Sequence, residues 1–161
     1  MNKSVFAAIL AGIAVCAGCT STAKPDPAMA GKRIGVYDSR CVAVAFAGSE
    51  KHEASLRGLD EPAMRAAQAT MHEQGFSTAP VDDILALYSD EIAALKTKHN
   101  LDALVSKWDK STLDRYAGAA QIDVTDELIE FPKPNEQQRR SALEIKQHKP
   151  ISREKARNMK H

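Results

Sequence analysis

Arg33-Ile34-Gly35-Val36-Tyr37-Asp38-Ser39-Arg40-Cys41-Val42-Ala43-Val44-Ala45-Phe46-Ala47 is the stretch on which the fold turns. Its first five residues are rich in β-branched and aromatic side chains, and Asp38-Ser39-Arg40 interrupts them before the apolar run resumes at Cys41. The composition predicts one strand with a break, or two short strands. Cys41 within this run reads as a small buried hydrophobe. In an oxidising compartment it could also bridge two copies that meet at this strand.

Downstream the period changes. From Ser49 to Gln74 charged residues and alanines dominate, with Met64, Ala67 and Met71 at helical spacing. Pro62 is tolerated only in a first turn, so a new helix or a kink is expected near Asp60. Gly75 is expected to supply a left-handed cap. After a turn at Phe76 to Pro80, Asp82 is expected to cap a second helix whose Ile84, Leu87, Tyr88, Ile92 and Leu95 share a face and which stops at Asn100. Its early acids and late lysines suit the helix dipole. Leu101 to Trp108 reads as a strand, Gln121 to Val124 as another, and Asp126 to Phe131 as a short helix. The expected fold is thus α+β: a small β-sheet body with a two-helix hairpin over about residues 50–99 and a short C-terminal helix.

Upstream, Lys3, the uncharged apolar stretch Val5 to Val15, and Ala17-Gly18 before Cys19 have the layout of a secretory signal over residues 1–18. An apolar run of about eleven residues is too short for a membrane span, which takes roughly 20. Ala17-Gly18-Cys19 resembles the lipobox of bacterial lipoproteins, although Cys16 stands where that motif usually has Leu. The resemblance implies cleavage before Cys19, a diacylglyceryl group on its sulfur, and anchoring to a membrane. Thr20 in place of Asp favours the periplasmic face of the outer membrane. Residues 19–31 then read as a lipidated tether, small, polar and proline-bearing.

Cut before Cys19, the chain keeps 143 residues, enough for one domain with a core. Only Cys41 would remain as a thiol, so no internal disulfide framework is expected. From Cys19 to Pro132 there are 12 Lys+Arg against 18 Asp+Glu, whereas Lys133 to His161 holds 9 against 3. Residues 32–132 are therefore an acidic domain, and 133–161 a basic tail expected to be partly helical and otherwise loose. The tail could touch anionic headgroups at about 1 kcal/mol per basic residue, or simply be solvated. The envelope compartment argues against nucleic acid as a partner.

Three segments carry a further likeness: Arg33 to Ser39, Leu101 to Val105, and Ile122-Asp123-Val124-Thr125-Asp126-Glu127-Leu128. Their order around two long helices resembles the Skp/OmpH family of periplasmic chaperones. The resemblance implies a homotrimer whose helical hairpins enclose unfolded envelope proteins, with no catalytic residues and no cofactor. The expected arms are short, about 38 Å and 27 Å at 1.5 Å per residue. They are also acidic, unlike the family's basic arms.

A different activity follows if the sheet is parallel. Its strand ends would gather Asp38, Ser39 and Arg40 with Lys107 and Asp109, because ligands sit at the carboxyl ends of strands in α/β folds. Two carboxylates and two cations could bind a small anion or do acid/base work. The same residues also read as turn formers and surface ion pairs. Trp108 reads as core, or as an aromatic stacking on a ligand. His52, His72, His99, His148 and His161 lack metal-ligand spacing, and no nucleophile-elbow, phosphate-loop or dinucleotide motif occurs. The sequence thus favours a membrane-anchored, non-catalytic envelope lipoprotein of the chaperone or protein-binding kind. The competing expectation is a small envelope α/β enzyme or ligand-binding domain that uses Asp38, Arg40, Lys107 and Asp109.

Replacing Cys19 by Ala is expected to move the protein from the membrane fraction to the soluble one and to remove the acyl mass from the intact protein. Unchanged mass and partitioning in the variant would contradict the anchor.

Overall fold

A computed structural model describes residues 27–159; the expected signal segment, Cys19, most of the expected tether, Lys160 and His161 lie outside them. Three strands form the sheet: β1 (Arg33–Tyr37), β2 (Ala103–Ser106) and β3 (Ala120–Asp123). The order is β2-β1-β3 and both pairings are parallel, with Val36 opposite Val105 on one side and Asp123 on the other. A parallel sheet needs covering on both faces, which explains why the central strand is buried over most of its length while the two edge strands are shorter and more exposed.

Nine α-helices accompany the sheet among the described residues. α1 (Ser39–Phe46), α2 (Glu50–Leu56), α3 (Glu61–Phe76), α4 (Asp82–Ala86) and α5 (Ser89–His99) join β1 to β2, and α6 (Lys110–Arg115) carries the chain across to β3. α7 (Thr125–Leu128), α8 (Glu136–Glu144) and α9 (Arg153–Arg157) follow. The chain is mixed α and β with a small sheet, as expected at that level.

The run from Cys41 is a helix, not a second strand. Asp38 caps α1 by accepting from the Arg40 amide, and Ala43 and Ala45 are strong helix formers. Cys41, Val42, Ala43, Ala45 and Phe46 are all buried, because α3, α7 and α8 surround this helix. A short apolar run buried on every side has no polar face to betray its period.

The segment expected as two long helices is four. Asp60 caps α3 through the Ala63 amide, with Pro62 in the first turn, where the break was expected. Gly75 does not end α3 in a left-handed turn; it lies inside the helix, where a Cβ would sit 3.5 Å from Val44. The second expected helix divides at Leu87–Tyr88, where Val81 and Tyr88, not Asp82, hold the cap positions and no side chain caps either piece. Asn100 ends α5 in the left-handed region, φ 52°, as a stop at that residue requires.

The basic C-terminal stretch is folded onto the body. Asn135 and Gln138 form a reciprocal capping box that starts α8. α8 lies on α1 with Ala142 buried, and α9 lies on α3 with Ala156 buried. The Ile151 amide donates to the Phe76 carbonyl, and Arg157 pairs with Glu73. A core of Tyr37, Val42, Phe46, Val81, Ile84, Tyr88, Leu95, Leu101, Val124 and Leu128 runs between the sheet and these helices.

Gly35 is enclosed on the central strand: a Cβ there would lie 2.7 Å from Leu104, 2.9 Å from Leu101 and 3.0 Å from Val124. Gly35→Ala is expected to lower stability by about 1–3 kcal/mol in urea denaturation through overpacking. An unchanged midpoint would contradict this packing.

Candidate functional site

The site begins where β1 ends. Asp38 is 0% exposed, so its carboxylate must be neutralised by the protein itself. One oxygen accepts from the Arg40 amide at 3.1 Å, from Arg40 Nε at 3.1 Å and from Trp108 Nε1 at 3.0 Å. The other accepts from Arg40 Nη2 at 2.8 Å and Lys107 Nζ at 2.7 Å. The Asp38 amide donates to Thr125 Oγ1 at 3.0 Å, and Arg40 Nη1 donates to the His148 carbonyl at 2.8 Å. Arg40 and Lys107 also lie 4.9 and 4.8 Å from the centre of the Trp108 ring.

This cluster ties together the ends of all three strands and the C-terminal segment. Burial alone would raise the Asp38 pKa, but hydrogen bonds from Arg40, Lys107 and Trp108 outweigh it and hold the carboxyl down at about 2. The carboxylate also sits at the N-terminus of α1, so the position that elsewhere receives a bound anion is filled from within.

Of the four residues expected to make a ligand site, the structure brings Asp38, Arg40 and Lys107 together and places Asp109 apart. Asp109 caps α6, accepting from the Thr112 amide at 3.0 Å. Hydrogen bonds from Thr112 hold its carboxyl below the usual range. Ser39 is buried beside Asp38, and its hydroxyl has no hydrogen-bond partner among the described residues. Trp108 is neither a plain core residue nor a free stacking face: its indole N–H serves the Asp38 carboxylate. Cys41 is a buried thiol whose pKa is pushed up to about 12, chiefly by burial.

Next to this cluster, on the β2 side, opens a cleft of about 490 Å³. Tyr37, Ser106, Trp108 and Asp109 line it from the strand ends, Thr78 and Asp82 from the segment before and into α4, and Arg153 from α9. Tyr37 is 5% exposed and lies at the end of β1 in the wall of this cleft. Burial first, then the negative charges of Asp82 and Asp109, push the phenol pKa well up, so the group stays a neutral donor and acceptor.

A second, apolar groove of about 600 Å³ lies over α1, formed by Val44, Phe76, Ile145, Ile151 and Met159 with Lys149 and Lys155 at its rim. Among the described residues no group of three or more His, Cys, Asp and Glu is placed to hold a metal, and no helix is long and apolar enough to cross a membrane.

Sequence reasoning did not single out Tyr37, Asp82, Arg153 or Thr125 for this region. Arg153 stood in a stretch read as a loose tail, and Tyr37 in a strand read for its β propensity. Compared with family models, curated proteins and solved structures, the chain matches none of them.

Asp38→Asn leaves Arg40 and Lys107 without their counter-charge and is expected to cost about 3–5 kcal/mol, as for a broken buried pair. The lowered pKa fixes the sign with pH. Above the ordinary carboxyl value of 3.8 the wild type has the full contribution, and it loses it as pH falls toward about 2. Urea denaturation from pH 5 to pH 2 should therefore show a steeper loss in wild type than in Asp38→Asn; equal slopes would contradict this role.

Proposed function

We propose that this chain is a lipid-anchored, non-catalytic protein of the cell envelope whose folded domain binds a small polar ligand in the cleft beside β2. The observation that carries the reading is a polar cleft at the carboxyl edge of a parallel sheet, with Tyr37, Asp82, Asp109 and Arg153 in its lining. Ligands of α/β proteins sit at this edge. The lining offers two carboxylates, several hydroxyl groups and one guanidinium, which suit a polar ligand held by hydrogen bonds and charge. The anchor rests on the likeness of Ala17-Gly18-Cys19 to a lipobox, and the outer membrane on Thr20.

A second reading is a protein-binding module of the Skp/OmpH kind, acting as a homotrimer on unfolded envelope proteins. The apolar groove over α1 speaks for a surface that takes apolar segments. Against projecting arms stands the packing of α3 on α1 and α9, with Ile84 and Leu95 in the core. The native mass in solution discriminates: a trimer supports this reading, and a monomer removes it.

The cleft reading is tested by thermal shift of the purified protein against amino acids and short peptides, sugars, nucleotides and organic acids. A ligand at a hundred times its Kd adds about 2.7 kcal/mol, enough to raise the melting temperature measurably. At least one class is expected to stabilise the wild type and to lose its effect in Thr112→Trp, which fills the cleft. No stabilising compound, or equal shifts in the variant, would contradict it.

A further inference from the structure

The chemistry of the cleft lining specifies what it takes, given the preceding reading that this cleft is the binding site. Its lining carries charges of both signs. Asp82, in the first turn of α4, has no hydrogen-bond or ion-pair partner among the described residues. Asp109 reaches the same cleft from the cap of α6, with one oxygen engaged by the Thr112 amide. Both carboxylates and the Tyr37 phenol line this one cleft.

Arg153 is the one cation among the described residues lining the cleft, since Lys107 is drawn away by Asp38. Its own neighbour, Glu73, is 3.9 Å from its Nε, a long contact, and is also engaged by Arg157 at 2.9 Å. The Arg153 guanidinium therefore keeps free donors. A cleft that offers two carboxylates, a phenol oxygen and one guanidinium does not suit a simple anion, which the carboxylates would repel. An ammonium group has three donors and no acceptor, and three side chains with acceptors line the cleft. A carboxylate matches the planar fork of an arginine.

We propose that the cleft binds a zwitterion of amino-acid to dipeptide size with both ends free. Its ammonium donates to Asp82, Asp109 and Tyr37 Oη, and its carboxylate accepts from Arg153. Tyr37 adds an acceptor for the cation without adding charge.

Calorimetric titration of the purified protein with a panel of free amino acids and dipeptides, each dipeptide also N-acetylated and C-amidated, tests this. At least one free-ended member is expected to bind, and blocking either end to weaken it about tenfold or more, the range of a charge-assisted hydrogen bond. Asp82→Asn is expected to weaken the free-ended peptide by a similar factor and to leave the N-acetylated form unaffected. Asp109→Asn should do the same while keeping the helix cap, as asparagine caps equally well. Arg153→Gln should weaken the free acid and not the amide. Blocked peptides that bind as well as free ones, or no free-ended binder at all, would overturn the proposal. If none binds while another ligand class stabilises wild type and not Thr112→Trp, the zwitterion falls and the cleft stands; if no class does, both fall.

Discussion

A single buried carboxylate organises this molecule. Asp38 takes hydrogen bonds from its own helix start, from the Arg40 guanidinium, from Lys107 and from Trp108, with no exposure to solvent. Burying a charge is unfavourable unless it is paired and hydrogen-bonded, so these donors must arrive together or the fold does not close this way. Such a pair contributes more to choosing one arrangement than to raw stability. Here it joins the end of β2, through Lys107 and Trp108, to the end of β1, and it caps the helix that follows.

The same carboxylate decides where a ligand can go. By occupying the N-terminus of α1, it removes the usual anion seat of a parallel sheet and leaves the neighbouring cleft as the accessible polar space. Arg40 then extends its influence. Its third nitrogen holds the His148 carbonyl, and a few residues later the Ile151 amide is fixed to α3 and Arg153 reaches the cleft. The interior cluster and the cleft wall are thus one connected structure, although no residue of the Asp38–Arg40 pair touches the cleft itself.

How much of this was legible follows from where each signal lies. The strands around Val36, Val105 and Ile122 were readable from β-branched runs, and the ends at Asp60 and Asn100 from cap and breaker chemistry. The helix at Cys41–Phe46 was not, because a run buried on all sides has no amphipathic period. The order of the basic segment was hidden for a different reason: Ala142 and Ala156 bury it, and a search for large apolar residues overlooks alanines packed by close approach. The meeting of Asp38, Arg40 and Lys107 followed from supposing a parallel sheet, but their mutual satisfaction did not. Tyr37, Asp82, Asp109 and Arg153 come from four separate elements, and no local pattern announces such a convergence.

The connection between the interior cluster and the cleft is tested most directly by amide hydrogen exchange in Arg40→Lys, which keeps the charge beside Asp38 and gives up the bond to His148. Residues 148–157 should lose protection while the strand amides of Val36 and Ile122 keep theirs. Unaltered protection across 148–157 would contradict the account.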